Sequence, residues 1–138
     1  MKRNRHGFTL VELMVVAIIV AILAAVSISI MTANKNRAIA TEAEAGCGTI
    51  KTALRVYFAE HNAYPNADAG TSATNLPGIL STDLNGTYFS APCYTFRSDA
   101  TSYDVTANGA NSTAPKAISA QGITVSIDEE GNWTTTGT

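Results

Sequence analysis

Glu12 is the residue in this chain that most needs a chemical explanation. It is the only charged residue between Phe8 and Ala33, and it heads an unbroken apolar run from Leu13 to Val26. An ionised carboxylate carried into a bilayer costs about 2.5–3.5 kcal/mol on insertion scales, so such residues normally have a partner or a task. The nearest candidate partner is an α-amine, which exists only if the chain is cut just before Phe8. That amine, on the same or a neighbouring chain, would neutralise Glu12 at low dielectric. A plainer reading competes with it: Glu12 lies one turn into the apolar run and can snorkel to the near interface.

The remaining reactive side chains suggest little catalysis. Cys47 and Cys93 are far apart in sequence and match no metal spacing. His6 lies ahead of the apolar run, and His61 reads as a solvated residue at a helix end. No Ser/His/Asp arrangement, phosphate loop or Cys/His cluster is present, which argues against an enzyme and against a bound cofactor or metal. Asp128-Glu129-Glu130-Gly131-Asn132 has the composition of a metal loop but not the alternating oxygen ligands of a calcium hand, and reads as a turn. Asn85-Gly86-Thr87, Asn111-Ser112-Thr113 and Asn132-Trp133-Thr134 match the N-glycosylation pattern. In a chain so rich in Asn and Thr, chance accounts for them.

The element that positions Glu12 is an apolar helix. Phe8 to Met31 is about 24 residues, or roughly 36 Å as a helix, enough to cross a hydrocarbon core of about 30 Å with some tilt. Lys2, Arg3 and Arg5 precede it, so the start should stay cytoplasmic and the rest be exported. A secretory signal peptide with a small-residue exit near Ala25-Val26-Ser27 is one alternative, but the run is long for that role. A plain membrane anchor is another, and gains nothing obvious from Glu12.

Beyond Met31 the pattern becomes one-sided. Ile39, Ala43, Cys47, Ile50, Leu54, Tyr57 and Phe58 recur at spacings of three and four, the signature of one helix face. With no proline before Pro65, the helix is predicted to run from Phe8 to about Asn62, where Asn62-Ala63-Tyr64-Pro65 stops it. Gly46 and Gly48 flank Cys47 and suit either close packing or a kink. Residues 63–87 read as a polar connector. Strands are predicted at Cys93–Arg97, Tyr103–Ala107, Ile123–Ile127 and Asn132–Thr135, with hairpin connections at Ser98–Thr101 and Asp128–Gly131 and a loop over Asn108–Pro115. The expected fold is therefore α+β: one long N-terminal helix, transmembrane then amphipathic, packed on a small antiparallel sheet that buries Ile50, Leu54 and Tyr57.

The formal charge is −2, from nine Lys and Arg against eleven Asp and Glu. Without the first seven residues it becomes −5, six basic against eleven acidic. An acidic, sparsely charged body does not favour nucleic-acid binding.

Gly7-Phe8-Thr9-Leu10-Val11-Glu12-Leu13-Met14-Val15-Val16 resembles the processing signal of type IV pilins and of the pseudopilins of type II secretion: a short basic leader, Gly, Phe, three residues, Glu, then an apolar helix. The Tyr-Pro exit of the helix is similar to theirs as well. The resemblance implies a leader over 1–7, a transmembrane or filament-core half-helix over 8–31, and an exported domain over 32–138. Within that domain the amphipathic helix would occupy about 32–62, the connector about 63–87 and the sheet about 88–138.

It further implies that a prepilin peptidase cuts between Gly7 and Phe8 and methylates the new amine of Phe8. Glu12 would then align incoming subunits by pairing with that amine. The implied partners are further copies of the chain in a helical filament, the peptidase, an inner-membrane assembly platform, and membrane lipid before assembly. The implied location is a single-pass site in the bacterial inner membrane, then a surface pilus or a periplasmic pseudopilus. A tethered periplasmic binding module that never polymerises is the remaining alternative.

Two departures from the family stand out. The apolar half lacks the Pro, with Gly upstream, that many relatives carry there; only Ser27 and Ser29, which can bond their own helix carbonyls, offer a weak point. The carboxy-terminal cysteine pair of many pilins is also missing. Cys47 and Cys93 either bridge the helix to the first strand, which the oxidising exported location permits, or remain two buried thiols.

Overall fold

The computed structural model describes residues 7–137, apart from the Ser29 side chain. Residues 1–6, with Lys2, Arg3, Arg5 and His6 of the expected leader, lie outside the described residues. The chain divides into two compact units between Asn34 and Lys35, and one helix, α1 (Leu10–His61), contributes to both.

In the first unit every described side chain from Phe8 to Asn34 is exposed. The helix here is long and apolar enough to cross a membrane. A helix satisfies its own backbone donors and acceptors, the condition for lying in hydrocarbon. The hydroxyl of Ser27 donates to the Leu23 carbonyl oxygen at 2.8 Å, and that of Thr32 to Ile28 at 3.1 Å. Both polar groups are thereby satisfied within the helix, which runs through Ser27 uninterrupted.

The second unit packs the later part of α1 against a five-stranded antiparallel meander in the order β1-β2-β3-β4-β5. The strands are β1 (Ala67–Ser72), β2 (Tyr94–Ser98), β3 (Tyr103–Asn108), β4 (Thr124–Asp128) and β5 (Trp133–Thr136). Ile39, Ala43, Cys47, Ile50 and Leu54 are all buried on the helix side, as their spacing requires. Tyr94, Phe96, Val105, Ala107, Val125 and Ile127 meet them from the sheet. Their register alternates cleanly, Phe96 opposite Val105 and Val105 opposite Ile127, so a single face of the sheet supplies the core.

Three expectations need correction. The connector over 63–87 contains a strand, β1, and the sheet therefore starts well before residue 88. Ala67–Ser72 has no apolar alternation, carries Gly70 at φ +86°, and pairs with β2 through a register shift between Ala67 and Thr71. An edge strand with a bulge needs only backbone pairing, so its side chains leave no signal. Tyr57 is only half-buried; instead of entering the core it stacks on His61, with ring centroids 4.1 Å apart. Phe58 is exposed and lies against Tyr64, centroids 4.7 Å apart. Neither Tyr57 nor Phe58 is part of the buried core. The helix itself stops as expected: Asn62 adopts the left-handed conformation at φ 57° and its N–H donates to the Phe58 carbonyl at 2.7 Å.

Gly46 serves close packing and no kink occurs. A Cβ at this position would collide with the ring of Tyr94, which is itself buried. Gly46→Ala is therefore expected to destabilise the fold by about 1–3 kcal/mol, the range for overpacking a filled core. Thermal melts of wild type and variant check it; an unchanged midpoint would show that the ring can move aside.

Two carboxylates fix the surface of this unit. In the β2–β3 hairpin, Asp99 Oδ1 accepts from the backbone N–H groups of Thr101 and Ser102, each at 2.9 Å. These bonds, with those from the Ser102 and Thr101 hydroxyls, hold its carboxyl down to about 2. Glu42, on α1, reaches the long connector. Its Oε1 accepts from the N–H of Tyr88 at 2.8 Å and of Phe89 at 2.7 Å, and its Oε2 from Thr87 at 3.2 Å. A Cβ at Gly86 would run into the Glu42 carboxylate and push it off these N–H groups.

Candidate functional site

Thr9 and Glu12 build the head of α1 together. Helix termini leave their first backbone N–H groups unpaired, and in hydrocarbon no water can satisfy them. Thr9, just before the first helical residue, accepts from the Glu12 N–H through Oγ1 at 3.3 Å. Glu12 reaches back, and its Oε2 accepts from the Thr9 N–H at 2.8 Å and from the Thr9 hydroxyl at 2.9 Å. This is a reciprocal capping box, in which two otherwise orphaned donors are satisfied.

The capping role changes the reading of Glu12. Sequence reasoning found a carboxylate in want of a partner and assigned the nearest amine. The structure supplies a partner within the same turn, Thr9, which the sequence reading passed over. Its signal was legible as Thr-x-x-Glu immediately before an apolar run. A simple anchor does gain something from Glu12: a closed helix end. Only Oε2 is committed, however. Oε1 makes no hydrogen bond among the described residues, and it stays available on an exposed first turn. Gly7 and Phe8 precede the helix in non-helical conformation, both exposed, and a Cβ at Gly7 would meet nothing within 4 Å. The Gly7–Phe8 peptide bond thus lies in exposed, non-helical backbone.

The other sequence-derived candidates lie in the second unit, remote from this site in sequence. Cys47 and Cys93 are both buried and not bridged to each other in the structure. Burial pushes the Cys47 thiol up to about 12, with the negative charges of Asp104 and Glu44 adding to it. In the β4–β5 turn the Asn132 side-chain amide donates to Asp128 at 3.0 Å and to Glu130 at 3.1 Å. These acids close a turn around an N–H donor. Among the described residues no three His, Cys, Asp or Glu side chains converge as metal ligands.

A processing motif ahead of an apolar helix, with that helix continuing onto an antiparallel meander, is the arrangement of pilins and pseudopilins, and the comparisons support that family for this chain. The family described as "Prokaryotic N-terminal methylation motif" matches residues 2–28, which include Gly7, Phe8, Thr9 and Glu12. The chain is similar to the type II secretion system core protein G of Aeromonas hydrophila, 36% identical over 72 residues, covering 52% of this chain and 50% of that protein. The core protein G of Pseudomonas aeruginosa is likewise 36% identical over 72 residues, covering 52% and 51%. The type IV wide pilus major component PilA4 of Thermus thermophilus is 36% identical over 86 residues, covering 62% and 63%. The chain thus spans about half the length of the secretion proteins it matches.

Proposed function

We propose that the chain is a structural subunit of a helical filament, a type IV pilus, assembled through its N-terminal helix. The observation that carries this reading is Glu12: one carboxylate oxygen caps the helix through Thr9, and the other remains open on the first turn. In this reading a prepilin peptidase removes residues 1–7 and methylates Phe8. The new amine of one subunit then meets the open Glu12 oxygen of a neighbour, each neutralising the other in the filament core. Cleavage also strips Lys2, Arg3 and Arg5, each of which would cost about 2.5–3.5 kcal/mol to draw into hydrocarbon. The helix can then leave the inner membrane towards the assembly platform, its amino end formerly cytoplasmic and its second unit already exported. Head-to-tail contacts between identical subunits do not close, and so produce fibres.

A second reading is supported by the relatives named core protein G: the filament would be the pseudopilus of a type II secretion system. Deletion of the gene separates the two. Loss of surface fibres with protein export intact supports the pilus; loss of export without loss of surface fibres supports the pseudopilus.

The intact mass of the chain purified from membranes tests processing itself. The expected species begins at Phe8, is heavier than the unmodified fragment by the net CH2 of one N-methylation, and carries both cysteines in reduced form. An uncleaved amino terminus, or a cut near Ser27, would defeat the filament reading and leave a membrane-tethered binding module. A species two hydrogens lighter would restore the Cys47–Cys93 bridge.

A further inference from the structure

We propose that Lys35 and Arg37 form a two-sided cationic collar that binds the phosphate headgroups of anionic phospholipids in the exported leaflet. The proposal rests on the membrane-resident stage of the function proposed above. Both side chains are exposed, and among the described residues neither has an ion-pair partner or a side-chain hydrogen bond. No acidic residue occurs between Leu13 and Thr41. The next acid along the helix, Glu42, has its carboxylate committed to three backbone N–H groups. The pair therefore presents two cationic charges with no ion-pair partner among the described residues.

Direction and depth identify the occupant. Residues two apart on an α-helix point about 200° apart, so Lys35 and Arg37 leave opposite sides of α1. A docked protein covers one side of a helix, whereas lipid headgroups surround it. Lys35 and Arg37 follow Met31 by about 6 and 9 Å of helix rise. A headgroup layer is roughly 5–7 Å deep on each side of the hydrocarbon, and long cationic side chains can reach back into it. The collar thus falls at phosphate depth, where anionic lipid attracts each Lys or Arg with about fivefold gain in binding.

Lipid retention measures this directly. The full chain in detergent micelles is titrated with phosphatidylglycerol and, separately, with phosphatidylcholine, and bound lipid is counted by native mass spectrometry. Preferential retention of phosphatidylglycerol is expected, with inorganic phosphate failing to displace it. Lys35→Gln and Arg37→Gln should each weaken retention about fivefold, and the double variant about thirtyfold, while Lys35→Arg should leave it unchanged. The amino-terminal segment, processed or not, is the same in every variant and cancels in the comparison. A double variant that holds phosphatidylglycerol like wild type overturns the collar, as does displacement by inorganic phosphate. A double variant that loses self-association while lipid retention stays constant also overturns it, in favour of contact with the acidic Asp128–Glu130 turn of a second copy. Release of the wild-type chain from membranes by alkaline carbonate would defeat the membrane reading itself. A chain that stays in the membrane yet does not discriminate lipid charge defeats only the collar.

Discussion

Glu12→Ala is expected to abolish filaments, whereas Thr9→Ala should only reduce them. Both substitutions open the capping box, and loss of an N-cap contributes about 0.5–2 kcal/mol. That cost is shared and cannot separate the two variants. What separates them is charge: Thr9→Ala leaves a carboxylate for the amine of a neighbouring Phe8, and Glu12→Ala leaves none. Glu12→Gln completes the test, because glutamine preserves the capping geometry but carries no charge. Filament yield after shearing, scored by electron microscopy beside the amount of processed subunit in membranes, is the measurement. Absence of fibres in both Glu12 variants, with processed subunit still in the membrane, is expected. Normal fibres in Glu12→Gln would mean that Glu12 acts as a helix cap and that its charge has no part in assembly.

The second large effect is expected at Glu42, far from the head of the helix. Its carboxylate gathers the N–H groups of Thr87, Tyr88 and Phe89 and so pins the long connector between β1 and β2 to α1. Hydrogen bonds to a charged acceptor contribute about 1.5–3 kcal/mol each. Water can reach the exposed Thr87 but not the buried Phe89, so the expected loss in Glu42→Ala is about 3 kcal/mol in all. For a domain of this size that lowers the melting temperature by more than about 10 °C. Glu42→Gln should cost less, because its carbonyl oxygen can keep Tyr88 and Phe89 while its amide faces the Thr87 N–H donor to donor. Thermal melts of the chain in detergent, with limited proteolysis across residues 73–93, check both. A Glu42→Ala chain that melts like wild type and resists cleavage in the connector would show that the connector is held by Leu76, Leu84 and Phe89 in the core alone.

These two carboxylates mark the division between what sequence and tertiary structure contribute. Patterns of near neighbours were legible in the chain. The apolar run, the three-and-four spacing of Ile39 to Leu54, the alternation of Val125 and Ile127, and the Asn62–Pro65 stop each arise from the period of a single element. The capping box at Thr9 and Glu12 belongs to the same kind, since both partners sit within one turn; it was readable there and was overlooked in favour of a longer-range partner. Long-range placements were not legible. That Glu42 ends on a loop 45–47 residues away, that Gly46 makes room for Tyr94, and that Ala67–Ser72 becomes an edge strand against β2 all depend on where the helix and sheet come to rest. No local periodicity encodes those positions. By itself the sequence determined the apolar helix, its carboxylate, the processing motif and the α+β class. Only the tertiary structure decided that both cysteines are buried and that Tyr57 stays half-buried outside the core, because each follows from packing between elements that are distant in the chain.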